Sequence, residues 1–253
     1  QNFDAWMWKG ESLKNLGQYD ESLNAYSMAV EAAPSEIPAA SASANVAKAD
    51  VLLKMGRYEE AYDIYNETSK LNSTEDIDKF YSSWSWRGMG SALAGLRRYN
   101  ESLQAFNKSR EVYSKGAFQA WGDEGNALSD LEKYEEAIAA YNKSIEMAPS
   151  EFVSARAEIE KGQALDKMGK HDEAIKTYEN AVDNLNKTLQ QSAFDAQSWY
   201  LKGTALKALG RQAEADEAYD RAEELGYKIQ NKSDTETSSI PKMLAITSIK
   251  ATG

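Results

Sequence analysis

The sequence predicts an all-α protein built from antiparallel helix hairpins stacked along one axis. Three observations carry this. Small and large residues recur with helical spacing, the hairpins are joined by turns too short for any other arrangement, and the unit repeats six times along 253 residues. Its cleanest copy is residues 121–149. There Trp121, Gly125 and Leu128 lie four and three residues apart, on one face of a helix. Ala137, Tyr141 and Ser144 repeat the same spacing on a second amphipathic helix. Only residues 131–134 lie between, so the two helices must run antiparallel. Gly125 and Ala137 carry little or no side chain, which lets the two backbones approach closely. Pro149 ends the second helix, since it lacks an N–H and clashes with the preceding turn.

The other units follow in order. The first has Trp6, Gly10, Leu13, Gly17, Tyr19, Ser22, Tyr26, Ala29 and Pro34; the second has Ala49, Leu52, Gly56, Tyr58, Ala61, Tyr65 and Thr68. The third has Trp86, Gly90, Leu93, Tyr99, Ser102, Phe106 and Ser109. The fifth has Gly162, Leu165, Gly169, His171, Ala174, Tyr178 and Ala181, and the sixth Trp199, Gly203, Leu206, Gly210, Gln212, Ala215, Tyr219 and Ala222. The post-turn residue steps by 39, 41, 35, 37 and 41, so the connections vary in length. Pro38 reads as a helix-starting residue, and Ser73 or Thr74 as the N-cap of the long helix that follows.

This pattern closely resembles the tetratricopeptide repeat, a helix–turn–helix unit of about 34 residues. The resemblance implies an α-solenoid, a right-handed superhelix whose first helices line a concave groove. It covers a single array over residues 1–227, with repeats at about 3–36, 42–75, 83–116, 118–151, 155–188 and 196–227. The turn glycine is replaced by Arg97 and Glu132 in the third and fourth copies, and the closing proline is present only at Pro34 and Pro149. Extra residues near 35–41, 74–82 and 187–195 should lengthen helices or loops. Residues 228–253 leave the pattern as a C-terminal tail, polar at first and apolar over 240–249, expected to cap the last hairpin or dock on the array.

Composition narrows the function. With 29 basic and 40 acidic residues the net charge is −11, which repels phosphate backbones and argues against nucleic acid as a partner. No apolar run is long enough to span a bilayer. The absence of cysteine removes disulfides, thiol catalysis and cysteine-based zinc sites. His171 is the only histidine and stands where other copies carry tyrosine, so it reads as a packing residue. Glu59/Glu60 and Glu135/Glu136 begin second helices, where they complement the helix dipole rather than form an acid–base pair. The glycines of 87–95 have no preceding strand and no closing Lys-Ser/Thr, so they are contact glycines and not a phosphate loop. No enzyme, metal site or cofactor is expected.

The expected function is a non-catalytic scaffold that binds a peptide or extended protein segment in the groove. The register implied by the resemblance assigns Trp84, Arg87, Ser91, Asn126, Arg156, Gln163 and Tyr200 to its wall. The alternative is a self-associating structural or cell-surface protein whose tail packs in or on the array. A lysine–asparagine–asparagine–lysine–arginine set, which family members use to hold acidic chaperone tails, is missing from any three consecutive repeats. Sequons for N-glycosylation occur at Asn66, Asn72, Asn100, Asn107, Asn142, Asn186 and Asn231, against about two expected by chance from the asparagine, serine and threonine content. They favour an extracellular or cell-surface location over the cytoplasm. The competing explanation is packing: Thr68, Ser109 and Ser144 stand where the repeat requires a small side chain.

Overall fold

The computed structural model describes residues 2–71 and 75–227; the expected N-cap at 73 or 74, the sequons at Asn72 and Asn231, and the tail from 228 onward lie outside them. Within that span there is no strand. The helices pair as hairpins: α1 (Phe3–Asn15) with α2 (Tyr19–Ala32), α3 (Pro38–Lys54) with α4 (Tyr58–Thr68), and α5 (Asp76–Gly95) with α6 (Tyr99–Val112). After a 3₁₀ turn over Ser114–Gly116 come α7 (Ala117–Asp130) with α8 (Tyr134–Glu146), α9 (Glu151–Lys167) with α10 (His171–Gln191), and α11 (Ala196–Ala208) with α12 (Gln212–Glu224). The extra residues went into helices: α5 has 20 residues and α10 has 21. Pro38 opens α3, where its missing N–H costs nothing.

Each hairpin closes through one αL residue. Gly17, Gly56, Gly169 and Gly210 have φ of 72° to 75°, and Arg97 and Glu132 take the same conformation at 61° and 60°. The next residue's N–H then bonds back to the last turn, as in Gln18 N–H to Leu13 O and Lys133 N–H to Leu128 O, both 2.9 Å. This satisfies carbonyls that the helix end would otherwise leave open.

Between the helices of a hairpin, an aromatic ring from the second packs directly against a glycine of the first. Tyr26 covers Gly10, Phe106 covers Gly90, Tyr141 covers Gly125, Tyr178 covers Gly162 and Tyr219 covers Gly203. The second hairpin has Ala49 at the glycine's place. There Tyr65 reaches across to the next hairpin, where Gly88 leaves room for it. Tyr26, Tyr65, Phe106, Tyr141 and Tyr178 are all buried. Serine adds hydrogen bonds where alanine gives only closeness: Ser22 and Ser102 donate to the carbonyls of Gly10 and Gly90 at 2.7 and 2.8 Å.

Successive first helices also touch one another, α1 to α3, α3 to α5, and so on to α11. That series forms the inner wall of the solenoid. The last hairpin turns a polar, mainly acidic face outward through Glu214, Asp216, Glu217 and Asp220, as a terminal unit requires.

Candidate partner-binding groove

The residue after each contact glycine, or after Ala49 in the second hairpin, is placed on the first helix toward the inner wall. Glu11, Asp50, Ser91, Asn126, Gln163 and Thr204 hold this position in the six hairpins. Four of them accept the phenol hydroxyl of the covering tyrosine. Tyr26 donates to Glu11 at 2.9 Å, Tyr141 to Asn126 at 2.7 Å and Tyr219 to Thr204 at 3.4 Å, while Tyr65 donates to Asp50 through a short bond. In the fifth hairpin Tyr178 instead donates to Asp166, at 2.9 Å. The third hairpin has neither part, because Phe106 has no hydroxyl and Ser91 is short. Ser91 turns back to the carbonyl of Arg87 at 3.3 Å.

A basin of about 430 Å³ opens at this third position and reaches from the second to the fifth hairpin. Four of the seven groove residues expected from the sequence meet there: Ser91, Asn126, Arg156 and Gln163. Arg87 and Arg156 share a smaller cleft of about 210 Å³ beside it. Trp84 lines neither. It packs edge-on against Phe80 at 5.4 Å, beneath the Arg87 guanidinium at 5.4 Å. Tyr200 also lies apart, stacked on Tyr227 at 4.5 Å. It lines a cleft of about 800 Å³ between the last hairpin and the first, where Lys14 and Tyr19 stand opposite.

Charges alternate along the inner wall. Asp50 on α3, Arg87 on α5, Asp123 on α7, and Arg156 with Glu160 on α9 follow one another. Arg87 Nη1 donates to Asp123 at 2.9 Å, with both side chains about one-fifth exposed. Arg156 and Glu160 pair at 3.5 Å. Burial pushes the carboxyl of Asp50 up, opposed by the Tyr65 hydroxyl and Arg87. Burial does the same at Glu160, opposed by Arg156. Glu160 in turn raises the pKa of Arg156, although that side chain is 58% exposed. Exposure and enclosure coexist here because the wall is concave: solvent reaches the guanidinium while protein surrounds it. Arg87 and Arg156 therefore already have acidic partners, and a ligand must share or displace them. The Nε atoms of Trp84 and Arg87 are buried with no hydrogen-bond partner.

Glu160, Lys54 and Lys167 belong to the basin as well and were not among the expected wall residues, whereas Asp123, also part of it, falls in the groove register. The readable signal for it was the tyrosine-to-phenylalanine change at 106. His171 does not pack: its side chain is 71% exposed, with Nδ1 3.0 Å from Asp166. It stands at the solenoid surface as the first residue of α10, ahead of the buried face that begins at Ala174. Among the described residues no cluster of side chains has the make-up of a metal site, and no helix is long and apolar enough to cross a membrane.

The sequon hydroxyls have structural work. Ser109 donates to the carbonyl of Ser83 at 2.9 Å, Ser144 to Phe118 at 2.8 Å and Thr68 to Ile64 at 2.8 Å. The asparagines at 100, 107 and 142 are exposed, and those at 66 and 186 half-buried.

Among solved structures, the apo form of RapI superposes with a TM-score of 0.58 at 15% identity, covering 88% of this chain and 82% of that one. BtubC (BKLC) from P. vanneervenii gives 0.53 at 15%, covering 99% and 97%. MamA protein gives 0.48 at 19%, covering 75% and 95%. The likenesses to RapI and BtubC speak to fold alone. A search of curated proteins finds no match. Models of the tetratricopeptide repeat match residues 3–36, 40–115, 118–151 and 159–227. With αL turns in all six hairpins and a ring seated on the paired glycine in five, the chain belongs to the tetratricopeptide repeat family.

Proposed function

We propose that this protein is a non-catalytic interaction scaffold that holds a peptide or extended protein segment against the inner wall of its solenoid. The basin at the third and fourth hairpins carries the reading, because there one concave surface brings together side chains from α3, α5, α7 and α9. A segment laid along it meets both signs of charge, amide groups and apolar surface. That mixture suits a polypeptide better than a polyanion. Peptides selected from a random display library on the immobilised protein test this. Arg156→Ala and Asn126→Ala should weaken them together; indifference to both changes would move binding off the groove.

A second reading is self-association. It is favoured by apolar side chains turned outward on the first hairpin, Trp8 at 73% and Leu16 at 53% exposure. Light scattering decides it: a dimer that Trp8→Glu dissociates supports it, and a monomer at all concentrations removes it.

A further inference from the structure

The first hairpin leaves open a face that every other hairpin covers. Two residues beyond the contact glycine, or beyond Ala49 in the second hairpin, stand Val51, Ala92, Ala127, Ala164 and Ala205, all buried. Ala92, Ala127 and Ala164 share core clusters with Tyr65, Phe106 and Tyr141, the rings of the hairpin before. Five residues ahead of the contact residue, Ala44, Ser85, Ala120, Ala157 and Ser198 are buried as well. On α1 these two places are Ala5 and Ser12, and both are exposed, because no described hairpin stands before them. Trp8 and Leu16 lie on the same stripe of the helix, at spacings of three and four residues. Ser12 donates its hydroxyl to the carbonyl of Trp8 at 2.8 Å, so an apolar cover would strand no donor. The far end of the array is finished with polar residues: where α2, α6 and α8 carry Leu23, Leu103 and Ile138, α12 carries the exposed Asp216.

The winding of the array brings the open stripe to the point where the tail departs. Leu16 lines the terminal cleft of about 800 Å³ together with Phe194, Leu225 and Tyr227. Among the described residues Phe194, Trp8 and Leu16 are the three most exposed large apolar side chains. Residues 228–253 take four of the 29 basic and two of the 40 acidic residues, so they carry +2 beside −13 on the rest. They hold no acid after Glu236, and Ile240, Met243, Leu244, Ile246 and Ile249 are large and apolar. We infer that the chain's own segment 240–249 is the occupant of the open face: it covers Trp8, Leu16 and Phe194 and fills the places over Ala5 and Ser12. Removing those side chains from water drives the contact. Charge only favours the encounter, since Lys14 and Lys54 line the cleft too. The twelve residues 228–239 span about 20 Å as a flexible chain. Leu16 to Trp8 is about 12 Å along α1, so the tether reaches. It holds the segment at about millimolar local concentration, whereas a second copy must come from bulk solution. The polar face of α12 gives the segment little apolar surface to cover.

The chain has no cysteine, so Ser248→Cys offers a single attachment point for a nitroxide spin label on the whole protein. In isotope-labelled protein carrying it, the amide signals of α1, the Trp8 indole and Phe194 should lose intensity, while those of α12 and the inner wall keep theirs. Loss at Asp216 and Glu223 instead would put the segment on the last hairpin, and loss at Ser91 and Asn126 would put it in the groove. Either result overturns the intrachain contact, as does unchanged intensity throughout. Mixing isotope-labelled protein without nitroxide with unlabelled protein that carries it identifies the source: loss at α1 in that mixture means that a neighbouring molecule supplies the cover, and overturns the contact within one chain. Trp8→Glu/Leu16→Glu alters only exposed positions and should restore the α1 signals with the helical circular dichroism unchanged; signals that stay suppressed in that variant overturn the assignment. A monomer by light scattering, which removes the self-association reading, leaves this contact standing, and peptide capture in the groove bears on neither.

Discussion

Adding one methyl group at Gly125 tests the packing on which the solenoid depends. A Cβ there would lie 2.5, 2.7 and 2.9 Å from three ring atoms of Tyr141, where comfortable carbon contacts need about 3.5–4 Å. The ring must retreat by about 1 Å, and it is buried, with its hydroxyl held 2.7 Å from Asn126. The second hairpin shows what makes an alanine tolerable: Ala49 is accommodated because Tyr65 leans over Gly88 of the next first helix. The matching place beyond Tyr141, two residues before the next contact glycine, is Glu160, whose charge already bears on the phenol. No room waits there. Overpacking costs about 1–3 kcal/mol, and a strained hydroxyl bond about 1 kcal/mol more. Better helix propensity returns about 1 kcal/mol. The net loss is about 1–3 kcal/mol, or roughly 3–9 °C in melting temperature for a chain of this size. Thermal and urea unfolding followed by circular dichroism measure it. Gly125→Ala should also cost less in a Glu160→Gly background, because the retreat then has space. An unchanged or raised melting temperature for Gly125→Ala alone would refute the ring-on-glycine account.

Arg97→Gly and Glu132→Gly should each stabilise by about 0.5–1 kcal/mol, since a side chain in the αL region costs more than glycine's added chain entropy; a lowered unfolding midpoint for both contradicts this. Asp50→Asn should stabilise the protein at neutral pH. The folded carboxyl has a raised pKa, so the folded state holds the proton more tightly than the unfolded one. Stability from this group is full below the ordinary aspartate range and falls as pH rises through the elevated folded value, a decline that Asp50→Asn should flatten in a pH series of melting temperatures. Ser109→Ala should cost about 1 kcal/mol by removing one donor from the buried Ser83–Ser109 pair. An oligosaccharide-transfer reaction offered the folded protein should leave Asn66, Asn107 and Asn142 unmodified, because Thr68, Ser109 and Ser144 are buried and bonded; mass spectrometry of those peptides reads the result.

The hairpins, their order and their turns could be read from the sequence because each rests on local spacing. Gly17, Arg97 and Glu132 fall at the same offset from a leucine and an aromatic residue, and offset alone assigns the turn. Much of the groove wall followed from the same register, which is how Ser91, Asn126, Arg156 and Gln163 came together. Its chemistry was harder to read. Arg87 looks available in one dimension, but its partner Asp123 lies 36 residues away and meets it only after two hairpins have stacked. The same register assigns Trp84 to the wall, but the ring contact it makes with Phe80, one turn earlier on its own helix, could not be read from the repeat. Lys54 and Lys167 enter the basin because the superhelix curves, and curvature is a sum of small angles that no single repeat reveals. His171 misled through its position: it shares a column with buried or half-buried tyrosines, but its imidazole is exposed and bonds to Asp166.

The cleft shared by Lys14 and Tyr19 at one extremity and Tyr200 and Tyr227 at the other shows how far the winding carries the chain. After six hairpins the path has come round to face its own beginning. Such a coil behaves like a spring clip: a slight loosening at each stacked interface, multiplied along the row, changes the gap between the jaws far more than it changes any one joint. Whatever tightens the middle of the row therefore also moves the two extremities relative to each other.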